Sequence, residues 1–171
     1  MAVLRERGIR NFWTLGPTPE MPLLLLIIDE ADVFFGLQGS QSREAKALSS
    51  ELEALAKMLI TKGRAAGLHV MLLTQKPTSD SLPSSVTSSC GPRLVYSVTT
   101  REAAEAALGR GSWDANAHPS PIGLLTGVAV FTDSKGGWSK VRTPVIPESV
   151  IAEHVSRHTH LARSPLQCRS E

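Results

Sequence analysis

Only two cysteines occur among the 171 residues, at positions 90 and 168, and no CxxC spacing joins them. Their separation argues against a zinc site, fits a reducing compartment, and gives no sign of a catalytic thiol. Charge of one sign is also missing: 18 Lys and Arg stand against 16 Asp and Glu, a formal +2. Bulk charge therefore speaks neither for nor against a polyanionic partner. Aromatics make up 5% of the chain, and no basic stripe with interleaved aromatics marks a nucleic-acid surface. The apolar run from Leu23 to Ile28 is far too short to span a bilayer and is bracketed by Pro22 and Asp29. No signal peptide is expected, because residues 1–16 carry three Arg and a Glu but no apolar stretch of the needed length. Internal repeats are absent. What remains is a soluble, cytosolic chain, 42% hydrophobic, with enough apolar residues for one core.

Residues 23–30 read LLLLIIDE. An unbroken aliphatic run implies a strand buried on both faces, as in the middle of a parallel sheet. Its two acids then fall at the strand's carboxyl end, where open α/β sheets place ligands. Ser42 to Thr61 follows with Leu48, Leu52, Leu55 and Leu59 at helical spacing and Glu53 and Lys57 on the expected outer face. Gly63 or Gly67 ends this helix. LHVMLLT at 68–74 is a second apolar run, so strand, helix and strand form a parallel crossover. Residues 76–92, rich in Ser, Thr, Pro and Gly, read as a long loop. RLVYSV at 93–98 is a short strand, and Thr99 with Glu102 makes a capping box for an Ala-rich helix closed by Gly109. Residues 109–121 read as irregular. GVAVF at 127–131 and WSKVRT at 138–143 read as an antiparallel hairpin. Pro147 and Glu148 open a last helix to about Arg157, and a polar, disordered tail is expected over 162–171.

A buried strand ending in Asp29-Glu30 beside one ending in Thr74-Gln75 is the layout of a nucleotide hydrolase. The first acid can hold Mg²⁺ and the second can orient the attacking water; both can equally cap a strand end in a turn. The Gln75 amide can donate to a γ-phosphate and accept from water, or simply terminate its strand. Arg64 reads as a cation favoured at a helix carboxyl end. His69 enters a buried strand and reads as structural.

The blocks LLLLIIDEADVFF and KGRAAGLHVMLLTQKPTSDSLPSSVTSSCGPRLVYSVTTREAAEAALG resemble the motor domain of the FtsK/SpoIIIE double-stranded DNA translocases over about residues 5–157. The resemblance implies a RecA-like P-loop NTPase core, three-layered and mainly parallel, with a carboxyl-terminal β-hairpin. It implies ATP and Mg²⁺ as cofactors, Asp29 at the metal, Glu30 as water activator, and Thr74 and Gln75 at the nucleotide, Gln75 sensing the γ-phosphate. Arg64 looks like the family's arginine that reaches the nucleotide of an adjacent subunit in a hexameric ring. Lys76, in place of the family's usual Arg, and Arg93 flank the loop implied to meet duplex DNA. The implied setting is the cytoplasm of a bacterium or phage, in chromosome segregation, conjugation or phage-like DNA transfer.

One departure matters. Such motors need a phosphate-binding loop, GxxxxGK[ST], and no Gly-Lys pair occurs anywhere in the chain. Residues 1–161 are therefore expected to be the carboxyl-terminal part of a motor domain from just beyond the missing loop and its helix, since RERGIRNF at 5–12 resembles the stretch between loop and acid-bearing strand. An apolar sheet edge is expected to be left open, and ATP hydrolysis by this chain alone to be weak or nil. A related secretion ATPase that moves protein and a catalytically silent ring subunit or regulator are the other readings.

Overall fold

The long aliphatic run does form a strand, β1 (Leu24–Ile28), paired in parallel with β2 (Leu68–Leu72) in the register Leu24↔Leu68 to Ile28↔Leu72. The computed structural model describes residues 4 to 159 except 5, 7, 20, 37–41, 79–81, 110, 112 and 115; the expected tail lies outside them. Ahead of β1 is one helical turn, α1 (Phe12–Leu15). Between β1 and β2 come α2 (Ala31–Phe35), the 21-residue α3 (Arg43–Gly63), and a 3₁₀ turn, Arg64–Ala66. Beyond β2 lie α4 (Ser84–Thr87), β3 (Arg93–Val95), α5 (Arg101–Leu108), β4 (Val128–Thr132), β5 (Trp138–Arg142) and α6 (Glu148–His158).

Burial on both faces is the expectation the structure overturns. Ile28 and Leu72 pack toward a core of Ala31, Phe35, Ala56, Leu82 and Val86. The opposite face carries Leu25, Ile27 and Met71, exposed at 55%, 53% and 44%. His69, expected to be enclosed in its strand, is exposed on that same open face. The run encodes a strand with two apolar faces, but the described residues supply helices to only one.

Helix α3 shows the same division. Ser42 caps it, its hydroxyl accepting from the Ala45 N–H at 3.4 Å. The leucine stripe does not form the core contact: Leu48 and Leu55 are exposed, while Ser49 and Ala56 are buried. Small side chains let α3 approach its neighbours closely, and the Ser49 hydroxyl donates to the Phe35 carbonyl at 3.0 Å. Glu53 faces inward too, accepting from the Ser85 hydroxyl rather than lying on an outer face with Lys57. The helix stops at Gly63, and the 3₁₀ turn carries the chain to Gly67 at φ +79. A Cβ on Gly67 would lie 2.5 Å from the fully buried Phe12 ring, so glycine is needed for both the left-handed backbone and the packing of α1.

The stretch expected as a loop over 76–92 is anchored instead. Leu82, just ahead of α4, and Val86 within it insert into the same core. A second core of Val95, Ala104, Leu108, Trp113 and Val130 underlies the antiparallel sheet β3-β4-β5. The expected hairpin is present, with Val128↔Arg142 to Thr132↔Trp138 in register; the Asp133 carboxylate accepts from the Lys135 and Gly137 N–H groups at 2.7 Å each. Helix α5 is capped by Thr100, one residue later than expected, which accepts from the Ala103 N–H at 3.2 Å. Within the irregular segment, Trp113 is buried and donates to the Pro119 carbonyl at 3.1 Å. Helix α6 buries no residue. Among the described residues, no helix is long and apolar enough to cross a membrane.

Candidate functional site

The carboxyl ends of β1 and β2 are tied together by backbone before any side chain contributes. The Leu73 N–H donates to the Ile28 carbonyl at 2.9 Å, and the Ala31 N–H donates to the Leu73 carbonyl at 2.8 Å. Between these two bonds the first strand must leave the sheet and start α2 within two residues. Glu30 makes that turn in the left-handed region, φ 50 and ψ 50, the sole non-glycine with positive φ among the described residues. For an L-residue this costs about 1–2 kcal/mol. Such strain concentrates where a side chain is held for function.

The Glu30 side chain is directed across the strand ends. Its Oε1 accepts from Gln75 Nε2 at 2.5 Å, although 45 residues separate them in sequence. Asp29, exposed, receives the Glu30 N–H on Oδ1 at 3.0 Å. Thr74 donates its hydroxyl to Asp32 Oδ1 at 2.8 Å and accepts the Lys76 N–H at 3.1 Å. Asp29, Glu30, Thr74 and Gln75 thus meet at one end of the parallel pair. Asp32 belongs with them and was not singled out from the sequence. Its place in the DEAD run at 29–32 was legible, but its partner Thr74 becomes visible only once β2 is laid beside β1.

Of the three cations, only Lys76 adjoins this cluster. Arg64 lies in the 3₁₀ turn before β2, at the amino end of the strands. A five-residue strand at roughly 3.3 Å per residue puts it about 17 Å from the acids of its own chain. It is exposed, and its carbonyl accepts the Trp13 indole N–H at 2.9 Å. Lys76 is exposed directly after Gln75. Arg93 is half-buried and already engaged: its guanidinium donates to the Thr87 carbonyl at 2.7 Å and the Ala107 carbonyl at 3.2 Å. That geometry makes Arg93 a brace between α4, α5 and β3. Burial pushes the nearby Cys90 thiol up, partly offset by Arg93, which disfavours the reactive thiolate.

No group of three or more His, Cys, Asp or Glu side chains suited to a metal ion occurs among the described residues. Magnesium in phosphoryl-transfer sites needs only one or two carboxylates, the rest being water and phosphate oxygens. An exposed Asp29 at a strand end, its carboxylate oriented by a backbone N–H, fits that modest demand.

No protein-family profile matches the chain. Several curated proteins are similar in sequence. A "Sporulation regulatory protein" of Streptomyces azureus is 27% identical over 164 residues, covering 93% of this chain and 52% of that protein. "DNA translocase FtsK 2" of Ralstonia nicotianae is 29% identical over 125 residues, covering 64% of this chain and 15% of that one. The chain thus spans about half the length of the first and a small part of the second. In fold it resembles the pCW3 conjugation coupling protein TcpA, monomer form with ATPγS, at a TM-score of 0.64 and 18% identity over 90% of this chain and 44% of that one. It also resembles the cytoplasmic domain of the Thermomonospora curvata type VII secretion ATPase EccC, at a TM-score of 0.50 and 21% identity over 83% and 15% of the two chains. The expected resemblance to FtsK/SpoIIIE motor domains is borne out, and the chain shares with these two structures a fold of helices with a parallel sheet and an antiparallel hairpin sheet.

Proposed function

From this FtsK/SpoIIIE-like motor fold, we propose that the chain supplies the acid-and-amide half of an ATP site in a double-stranded DNA translocase. The observation that carries the reading is the Gln75–Glu30 hydrogen bond at the adjoining carboxyl ends of β1 and β2. Glu30 orients the attacking water and Gln75 meets the γ-phosphate. Asp29 holds the magnesium ion, which when bound neutralises charge on the phosphates. Arg64, remote from the acids of its own chain, serves a neighbouring subunit of a ring.

The phosphate loop must come from sequence beyond these residues or from another polypeptide, because positioning and neutralising the triphosphate is most of phosphoryl-transfer catalysis. The open face of Leu25, Ile27 and Met71 is where that remaining part packs. Residues 1–161 then constitute the carboxyl-terminal portion of the motor domain. Duplex DNA as the track, with Lys76 beside it, is tested by binding at several salt concentrations. A steep linear fall of log affinity with log salt is expected; salt-insensitive or absent binding by the complemented motor would instead point to a motor that moves protein.

A further inference from the structure

We propose that Asp32 is a positioning residue that holds Gln75 against Glu30, acting through the Thr74 hydroxyl. The inference deepens the reading of Glu30 and Gln75 as the hydrolytic pair and rests on it for its catalytic meaning. The last backbone bond between the two strand extensions is Ala31 to Leu73. Gln75 therefore lies beyond the ladder, exposed, on a side chain that loses up to about 2 kcal/mol of rotamer freedom when fixed. Something must hold its backbone still for the 2.5 Å contact to persist.

The Thr74 hydroxyl does so on both sides of Gln75. It belongs to the residue before and accepts the N–H of the residue after, Lys76, at 3.1 Å. Its own proton goes to Asp32 Oδ1 at 2.8 Å. Asp32 stands in the first turn of α2, two residues after Glu30. One carboxylate thus fastens the turn carrying Gln75 to the helix whose start sets the Glu30 backbone. An ionised acceptor makes this bond about twice as strong as a neutral one, and the β-branched Thr74 has few rotamers in which to stray.

The test uses the full chain labelled with ¹⁵N and measures solvent exchange of the Gln75 side-chain amide protons, together with the nuclear Overhauser contact from that amide to the Glu30 side chain. Asp32→Ala and Thr74→Val are each expected to speed exchange, by up to about tenfold for the loss of one hydrogen bond's protection, and to abolish the contact. Thr74→Ser and Asp32→Asn, which keep the hydroxyl and the acceptor oxygen, are expected to preserve both. If Asp32→Ala does not fold, Thr74→Val reports on the same clip from its other end. Wild-type exchange and an intact contact in the folded Asp32→Ala or Thr74→Val chain would overturn the proposal. The measurement needs no nucleotide, so failure of the chain joined to a phosphate-loop segment to bind ATP would sink the hydrolase reading and leave this result standing.

Discussion

Gly67 and Phe12 occupy space that only one of them can fill: the glycine's missing Cβ would sit 2.5 Å from the buried ring, at a backbone φ of +79. Gly67→Ala combines left-handed strain with overpacking and is expected to cost about 2–4 kcal/mol. Thermal unfolding should show a midpoint lower by roughly 5–15 °C. In the Phe12→Ala background the same substitution should cost less, since only the strain is left.

Glu30 should behave in the opposite sense. Its left-handed backbone is a conformation glycine adopts freely, so Glu30→Gly exchanges relief of about 1–2 kcal/mol of strain for the loss of one exposed hydrogen bond. Denaturant unfolding is expected to find the variant between neutral and about 1 kcal/mol more stable, where glycine inside an ordinary helix costs about 1 kcal/mol. A clear loss of stability would show that the Glu30 side chain supports the fold.

Two cations named together from the sequence should now separate by experiment. Arg93→Ala leaves the Thr87 and Ala107 carbonyls without their guanidinium donor and is expected to lower stability by about 1.5–3 kcal/mol, with duplex affinity of the folded chain unchanged. Lys76→Ala is expected to leave stability within about 0.5 kcal/mol and to reduce the salt slope of DNA binding by about one.

What could be read from residues alone divides along physical lines. The β1 and β2 runs, the glycine stop after α3 and the β4–β5 hairpin follow from local pattern and turn chemistry, and all are present. The buried face of α3 was not legible. Its leucines outweigh Ser49 and Ala56 in any hydrophobic count, yet close packing against α2 and α4 selects the small residues. Leu82 and Val86 were hidden in a Ser- and Thr-rich stretch because two apolar residues make no periodic signal. In the site, Asp29, Glu30, Thr74 and Gln75 were visible as strand ends, whereas Asp32 and the engaged Arg93 depended on partners far away in sequence.

Because Leu25, Ile27 and Met71 face outward here, polar substitution should be tolerated by the chain in isolation. Ile27→Thr is expected to change stability by no more than about 0.5 kcal/mol. If that face receives the rest of the motor, the same variant should weaken complementation by a phosphate-loop segment, measured as loss of co-purification. A strongly destabilised Ile27→Thr chain would mean that the face is already packed.

The decisive measurement is steady-state phosphate release from ATP by the purified chain and by the chain joined to a segment bearing a phosphate loop. Little or no turnover is expected from the chain alone, turnover on joining, and its loss in Glu30→Gln. Robust hydrolysis by the isolated chain that Glu30→Gln abolishes, or turnover in the joined protein that is indifferent to Glu30, would contradict this expectation.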